Sequence, residues 1–172
     1  MAGAKTERFE RLLREHQSMV FSIALRVLRD RAVAEELAQD VFLQLFGALP
    51  GLETDEHVRF WLRRVTCHRA IDESRRRKLR PKVSLELVPE PSLRHEMGDP
   101  LLSDVLRKLV QALPERARAI VVMRYQEDLD PAEIGRILEI PAASVKSLLH
   151  RSLHLLRGKV ERATRVQQEV RA

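Results

Sequence analysis

The chain has 172 residues, 44% hydrophobic and 33% charged, with a formal net charge of +6 and a pI of about 10.1. That balance suits one ordinary soluble domain or two small ones and directs attention to polyanionic partners. No apolar run approaches the roughly 20 residues of a membrane span, Met1–Glu10 lacks the apolar core of a secretory signal, and Cys67, the only cysteine, excludes an internal disulfide and a cysteine-based zinc cluster.

Taken in chain order, apolar residues fall at helical spacings and strand-like alternation is nearly absent. Phe9, Leu12, Leu13, His16, Met19, Val20, Ile23, Ala24, Val27 and Leu28 trace one stripe of a long first helix that breaks at Asp30. A second helix is expected from about Ala32 to Leu49, with Leu37, Val41 and Leu45 on a shared face and Pro50-Gly51 as its stop. Leu52–Glu56 reads as a short polar loop. A third helix begins near His57 and carries Phe60, Trp61, Val65 and Ile71 into an arginine run. Phe60 and Trp61 are adjacent and are not expected to enter the same core together.

The texture then changes. Pro81, Pro89, Pro91 and Pro100, with several acids and Gly98, give residues 81–101 the character of an extended acidic linker. Beyond it, Leu102, Val105, Leu106, Leu109 and Val110 form a new helical stripe. Pro114 is expected in the first turn of the next helix, and Asp130-Pro131 reads as an N-cap with proline at N1. Leu138–Pro141 is a tight break, and the last helix runs from about Ala142 past Leu156, with fraying expected after Val160. The fold class is therefore all-α: two small helical domains, about 5–80 and 102–160, joined by a Pro-rich acidic linker.

Charge is distributed in blocks. Residues 30–56 hold seven acids against Arg31, and residues 59–82 hold ten Lys/Arg against Asp72 and Glu73. Residues 83–104 hold five acids against Arg94, and residues 142–165 hold six basic residues against Glu161. Such alternation implies separate surfaces for separate partners.

The sharpest functional signal is residues 131–156. Two short helices, Gly135 near the middle of the first, and Ile134, Leu138, Ile140, Val145 and Leu149 as apolar contacts form the pattern of a helix-turn-helix. Lys146, Ser147, His150 and Arg151 share one face of the second helix and can all donate hydrogen bonds to base edges in a major groove. Arg157, Lys159, Arg162 and Arg165 extend the basic surface toward phosphates. A plain helical hairpin with a solvated charged face is the competing reading. On the third helix, Trp61, Arg64, His68, Arg75, Arg76 and Arg77 combine an aromatic with cations, which suits single-stranded DNA. There Trp61 as a core anchor, and the arginines as a helix C-terminus favoured by its dipole, are the alternatives.

These motifs resemble the sigma factors of the extracytoplasmic-function type, in the sigma-70 superfamily. Leu113-Pro114-Glu115-Arg116, Glu133-Ile134-Gly135 and Ser144–Arg151 resemble the C-terminal domain of that family. Ala34–Phe42 resembles its polymerase-binding helix, and Phe60–Val65 with Asp72 and Arg75–Arg77 resembles its −10 region. The resemblance implies that Glu36, Gln39, Asp40 and Phe42 dock on the clamp helices of the largest subunit of core RNA polymerase, with the flap region as a further contact. It implies that Trp61, Arg64, His68, Arg75, Arg76 and Arg77 meet the −10 element, beside a base pocket at about Gly51–His57. It implies that Lys146, Ser147, His150 and Arg151 read the −35 duplex. The linker would enter the polymerase's RNA path or act as a tether, and an anti-sigma factor would mask these faces. His68 and Leu148 depart from the family's usual Asn and Arg, which leaves the −10 preference and one DNA contact open.

The six histidines are scattered, and no phosphate-cradling glycine loop or nucleophile motif accompanies them. The expectation is a cytoplasmic transcription factor with no catalytic residues, cofactor, metal or small-molecule substrate, and no direct membrane insertion. A stand-alone helix-turn-helix regulator that needs no polymerase is the alternative.

Overall fold

The computed structural model describes the backbone of residues 2–79 and 100–171, and the side chains of residues 3–79 and 106–162. The elements are α1 (Ala2–Leu28), α2 (Arg31–Ala48), a 3₁₀ turn (Leu49–Gly51), α3 (Asp55–Leu79), α4 (Pro100–Gln111), α5 (Glu115–Tyr125), α6 (Pro131–Leu138) and α7 (Ala142–Arg171). Most of the linker expected at 81–101 lies outside the described residues; its last two positions already belong to α4.

Local chemistry sets the boundaries. Arg29 adopts a left-handed backbone (φ 63°) and its N–H donates to Leu25 O, closing α1. Asp30 then caps α2 by accepting from the Val33 N–H at 3.2 Å. Thr54 Oγ1 accepts from the His57 N–H at 3.1 Å, so α3 starts two residues before the expected His57, with Asp55 and Glu56 favourably placed in its first turn. Pro114 is the N-cap of α5 rather than a residue of its first turn. The last helix continues beyond Val160, to Arg171.

Helices α1, α2 and α3 pack around Leu12, Val20, Ile23, Val27, Leu37, Val41, Leu45, Val58 and Leu62, all at most 6% exposed. Helices α5, α6 and α7 pack around Ile120, Met123, Ile134, Ile137 and Val145, all at most 1% exposed. These cores are continuous. α5 lies against α1 and α3, and α6 lies against α3. Its residues Ala117 through Met123 are all buried, so α5 is covered on every side, as expected of a helix sandwiched between two layers. The two helical groups therefore sit face to face, not apart.

Candidate nucleic-acid interface

The helix-turn-helix is built by α6, the turn at Glu139–Pro141, and the start of α7. Asp130 accepts from the Ala132 and Glu133 N–H groups at 2.7 and 2.8 Å, and Glu133 Oε2 accepts from the Asp130 N–H at 2.8 Å. This reciprocal capping box, with Pro131 at N1, fixes where α6 begins. The Glu133 N–H and then burial, which opposes it, act on Asp130, and its carboxyl is held below the usual carboxylate range.

Gly135 sets the crossing. A Cβ there would lie 2.7 Å from Ile140 O and 3.4 Å from Ala142 N, so only glycine lets the turn fold back over α6. The Ile140 N–H donates to Gly135 O at 3.0 Å across the same contact. Glu139 occupies the left-handed region (φ 56°), a conformation costing a non-glycine residue roughly 1 kcal/mol. Val145 and Leu149 face inward, while Lys146, Ser147, His150 and Arg151 are all exposed on the opposite side. The Arg151 guanidinium rests on Ser147 O at 3.3 Å, and among the described residues no carboxylate pairs with Arg151 or Lys146. Leu148 is half-buried against the core.

The basic face of α3 is in a different condition. Arg64 pairs with Glu139 at 2.5 Å, and Arg75 and Lys78 pair with Glu115 at 3.4 and 2.5 Å. His68 Nε2 lies 2.9 Å from Ile137 O, a geometry in which the ring nitrogen donates. Arg76 meets Glu73 at 3.1 Å and Arg77 meets Asp30 at 2.7 Å. Trp61 and Phe60 are both half-buried against the core, contrary to the expectation that only one would pack there. Lys78, in spite of partial burial, holds the Glu115 carboxyl below the usual range. The loop at 51–57 is strapped to α1: Arg8 donates to Leu52 O at 2.6 Å, and Arg11 forks onto Asp55 at 3.0 Å.

On α2, Glu36 and Gln39 are exposed, Asp40 accepts from Arg69 at 2.7 Å, and Phe42 is 6% exposed. Phe42 therefore belongs to the core and supports this face from beneath. Between α1 and α2 runs an open groove of about 650 Å³ whose lining includes Phe9, Leu13, Phe21, Gln39, Phe42 and Leu43. Leu43 is 72% and Phe46 39% exposed, with Phe46 held edge-on to Phe9 at 5.2 Å. Sequence reasoning missed Leu43 and Phe46. Their signal was an i, i+3 apolar pair lying off the Leu37–Val41–Leu45 stripe. The acidic and basic blocks are also less separate than expected, since Asp30 and Asp40 each hold an α3 arginine.

Among the described residues no group of three potential ligands could hold a metal, and no helix is long and apolar enough to cross a membrane.

Two family models match the chain in order, sigma-70 region 2 over residues 12–80 and sigma-70 region 4 over residues 103–156. The chain belongs to the sigma-70 family, in its extracytoplasmic-function branch. Similar proteins include the RNA polymerase sigma-E factor of Streptomyces avermitilis, 29% identical over 94% of this chain and 89% of that protein. The ECF sigma factor SigW of Bacillus subtilis is 25% identical over 84% of each. In fold the chain resembles the sigma factor RpoE of Bartonella quintana, solved with the anti-sigma factor NepR, at a TM-score of 0.74 and 16% identity over 90% of this chain and 98% of that one. Region 2 thus comprises α1–α3, and region 4 carries the helix-turn-helix. This sigma factor is a promoter-directing subunit of RNA polymerase, a DNA-binding initiation factor.

Proposed function

We propose that the exposed face of α7, Lys146, Ser147, His150 and Arg151, reads the −35 duplex, and that the basic side of α3 engages the −10 element. The observation that carries this reading is the α7 face itself: four donors exposed on a helix whose entry is fixed by the Asp130 capping box and the Gly135 crossing. On α3, Trp61 packs beside the cations, and Arg64, His68, Arg75, Arg76 and Arg77 supply phosphate and base contacts once the duplex is open.

Glu36, Gln39 and Asp40, with Phe42 beneath them, form the docking face for core polymerase, and the groove bearing Leu43 adds apolar area beside it. The functional units are residues 5–80, a linker at 81–101, and residues 102–160. An anti-sigma factor holds the protein inactive until a signal arrives; the fold relative solved with such a partner supports this. The protein works in the cytoplasm, beside the polymerase, with no chemistry of its own.

The test is run-off transcription with purified core polymerase on promoter fragments, with and without the protein. Protein-dependent start sites with a shared upstream element lost on Arg151→Ala are expected. Start sites unaffected by that substitution would contradict the α7 assignment.

A further inference from the structure

Only Leu52, Glu53 and Thr54 lie between the 3₁₀ turn and α3. Residues 51–57 carry three acids, Glu53, Asp55 and Glu56, and no Lys or Arg. The cations that meet this loop come from α1. Arg8 Nη2 donates to Leu52 O at 2.6 Å and to Glu53 O at 3.4 Å, and the Arg11 guanidinium forks onto both oxygens of Asp55 at 3.0 Å. Glu15, one turn further along α1, braces the fork: it meets Arg11 at 3.3 Å and reaches Arg59, one turn into α3, at 3.7 Å. The hydrogen bond from Arg11, opposed by slight burial, holds the Asp55 carboxyl below the usual carboxylate range. These contacts stand apart from the seam between the two halves, whose ion pairs join Arg63, Arg64, Arg75 and Lys78 of α3 to Glu127, Glu139 and Glu115.

We propose that Arg8 and Arg11 are positioning residues of the −10 face: from α1, without touching DNA, they set where the loop at 51–57 sits beside the strand that α3 engages. His57, Trp61, Arg64 and His68 fall four, three and four residues apart, so one stripe of α3 runs from the proposed −10 contacts back to the loop. His57 is exposed at that end, and Gly51, Glu53, Thr54, Asp55 and Glu56 are exposed beside it. An acidic loop repels phosphate, so its distance from the strand decides how closely DNA can follow the stripe. The loop's own hydrogen bonds close its ends, with the Leu52 N–H on Leu49 O and the His57 N–H on Thr54 Oγ1, and leave Glu53 O to Arg8. A bidentate fork fixes angle as well as distance, and Arg11 applies one at Asp55, the first residue of α3. Both partners of that fork are about half exposed, so it adds little to stability and acts chiefly on position.

The proposal rests on the assignment of α3 to the −10 element, and the experiment separates the two. Promoter opening by the holoenzyme, read as permanganate reactivity of unpaired thymines on a fragment found by run-off transcription, is compared across five proteins. These are the parent, Arg8→Ala/Arg11→Ala, Arg8→Lys/Arg11→Lys, Asp55→Asn, and the direct-contact variant Arg75→Ala/Arg76→Ala/Arg77→Ala. Melting temperature and co-purification with core polymerase are followed alongside. The alanine pair is expected to open the promoter about fivefold less well, the scale of two largely exposed contacts, with melting temperature and co-purification unchanged. The lysine pair should recover only part, because lysine keeps the charge and loses the fork. Asp55→Asn should also lose opening, although it removes an acid from the loop. Opening by Asp55→Asn equal to or better than the parent's overturns the proposal, since the acid then only repels DNA and Arg11 only neutralises it. Full recovery by the lysine pair overturns it for the same reason. A fall in co-purification that matches the fall in opening overturns it too, by moving the straps to polymerase docking. Parent-like opening by the alanine pair, beside a loss in the direct-contact variant, removes the straps and keeps the α3 assignment. Parent-like opening by the direct-contact variant removes both. Should the alanine pair melt early, Asp55→Asn carries the test alone, because its side chain is 49% exposed.

Discussion

The faces of α3 and α7 are both helical and both basic, yet they stand in opposite states. On α3, Arg63, Arg64, Arg75, Arg76 and Arg77 each have a carboxylate partner. On α7, Lys146, Ser147, His150 and Arg151 are exposed and no described carboxylate answers Lys146 or Arg151. The difference teaches that net charge locates a candidate surface, whereas the pairing of each cation decides whether that surface is available. A solvated guanidinium is ready for phosphate, but a paired one first gives up its partner.

The largest way to break the comparison is to remove the α7 face altogether. Gly135→Val drives a branched side chain into Ile140 O, 2.7 Å from the Cβ position, and should cost about 3 kcal/mol, the upper range for overpacking. Thermal melting should fall by several degrees and duplex binding should be lost; an unchanged melting temperature would refute the crossing argument. Arg151→Ala tests the open face alone. Loss of about 1–3 kcal/mol in −35-dependent promoter affinity is expected if the contact is bidentate to guanine, with melting temperature unchanged, and equal promoter output would remove Arg151 from the contact set. Gln39→Ala with Asp40→Ala touches neither DNA face. It should weaken co-purification with core polymerase, while releasing Arg69 changes stability by no more than about 1 kcal/mol; undiminished co-purification would clear this face of docking.

The smallest effect concerns His16, 3% exposed beneath α3 with Nε2 lacking a hydrogen-bond partner and Glu15 at 3.6 Å. Burial, aided by Arg59 and Arg63 and opposed by Glu15 and Asp55, depresses its pKa below the ordinary value of about 6.5. A depressed folded pKa means stability is fully present above about 6.5 and is lost as pH falls from there toward the folded value. Melting temperature should therefore decline between about pH 7.5 and 5.5 in the parent, and His16→Gln should flatten that slope. An identical slope in both proteins would place the titration elsewhere.

The helix-turn-helix was legible because its parts are local. Asp130-Pro131 is an N-cap signal within two residues, and Gly135 is needed by a contact only five residues away. Fold class and most helix limits followed from apolar periodicity, with Thr54 missed as a cap because it sits in an otherwise featureless polar loop. The seam left no such trace. Its ion pairs join residues 37 to 75 positions apart, and charge pairs at that range impose no period on a sequence. One signal was present and unread: Ala117–Met123 is nearly apolar all round, the mark of a helix covered on both sides.

The most direct measurement is resonance energy transfer between dyes on α1 and α6, placed by Arg14→Cys and Ala132→Cys in a Cys67→Ser background, before and after core polymerase and promoter are added. Both positions are exposed and lie outside the proposed docking and DNA contacts. The account predicts high transfer in the free protein and a large fall on assembly, as the paired α3 face is freed for DNA. Equally low transfer in both states would mean that the halves are already apart and that the two faces do not differ in availability.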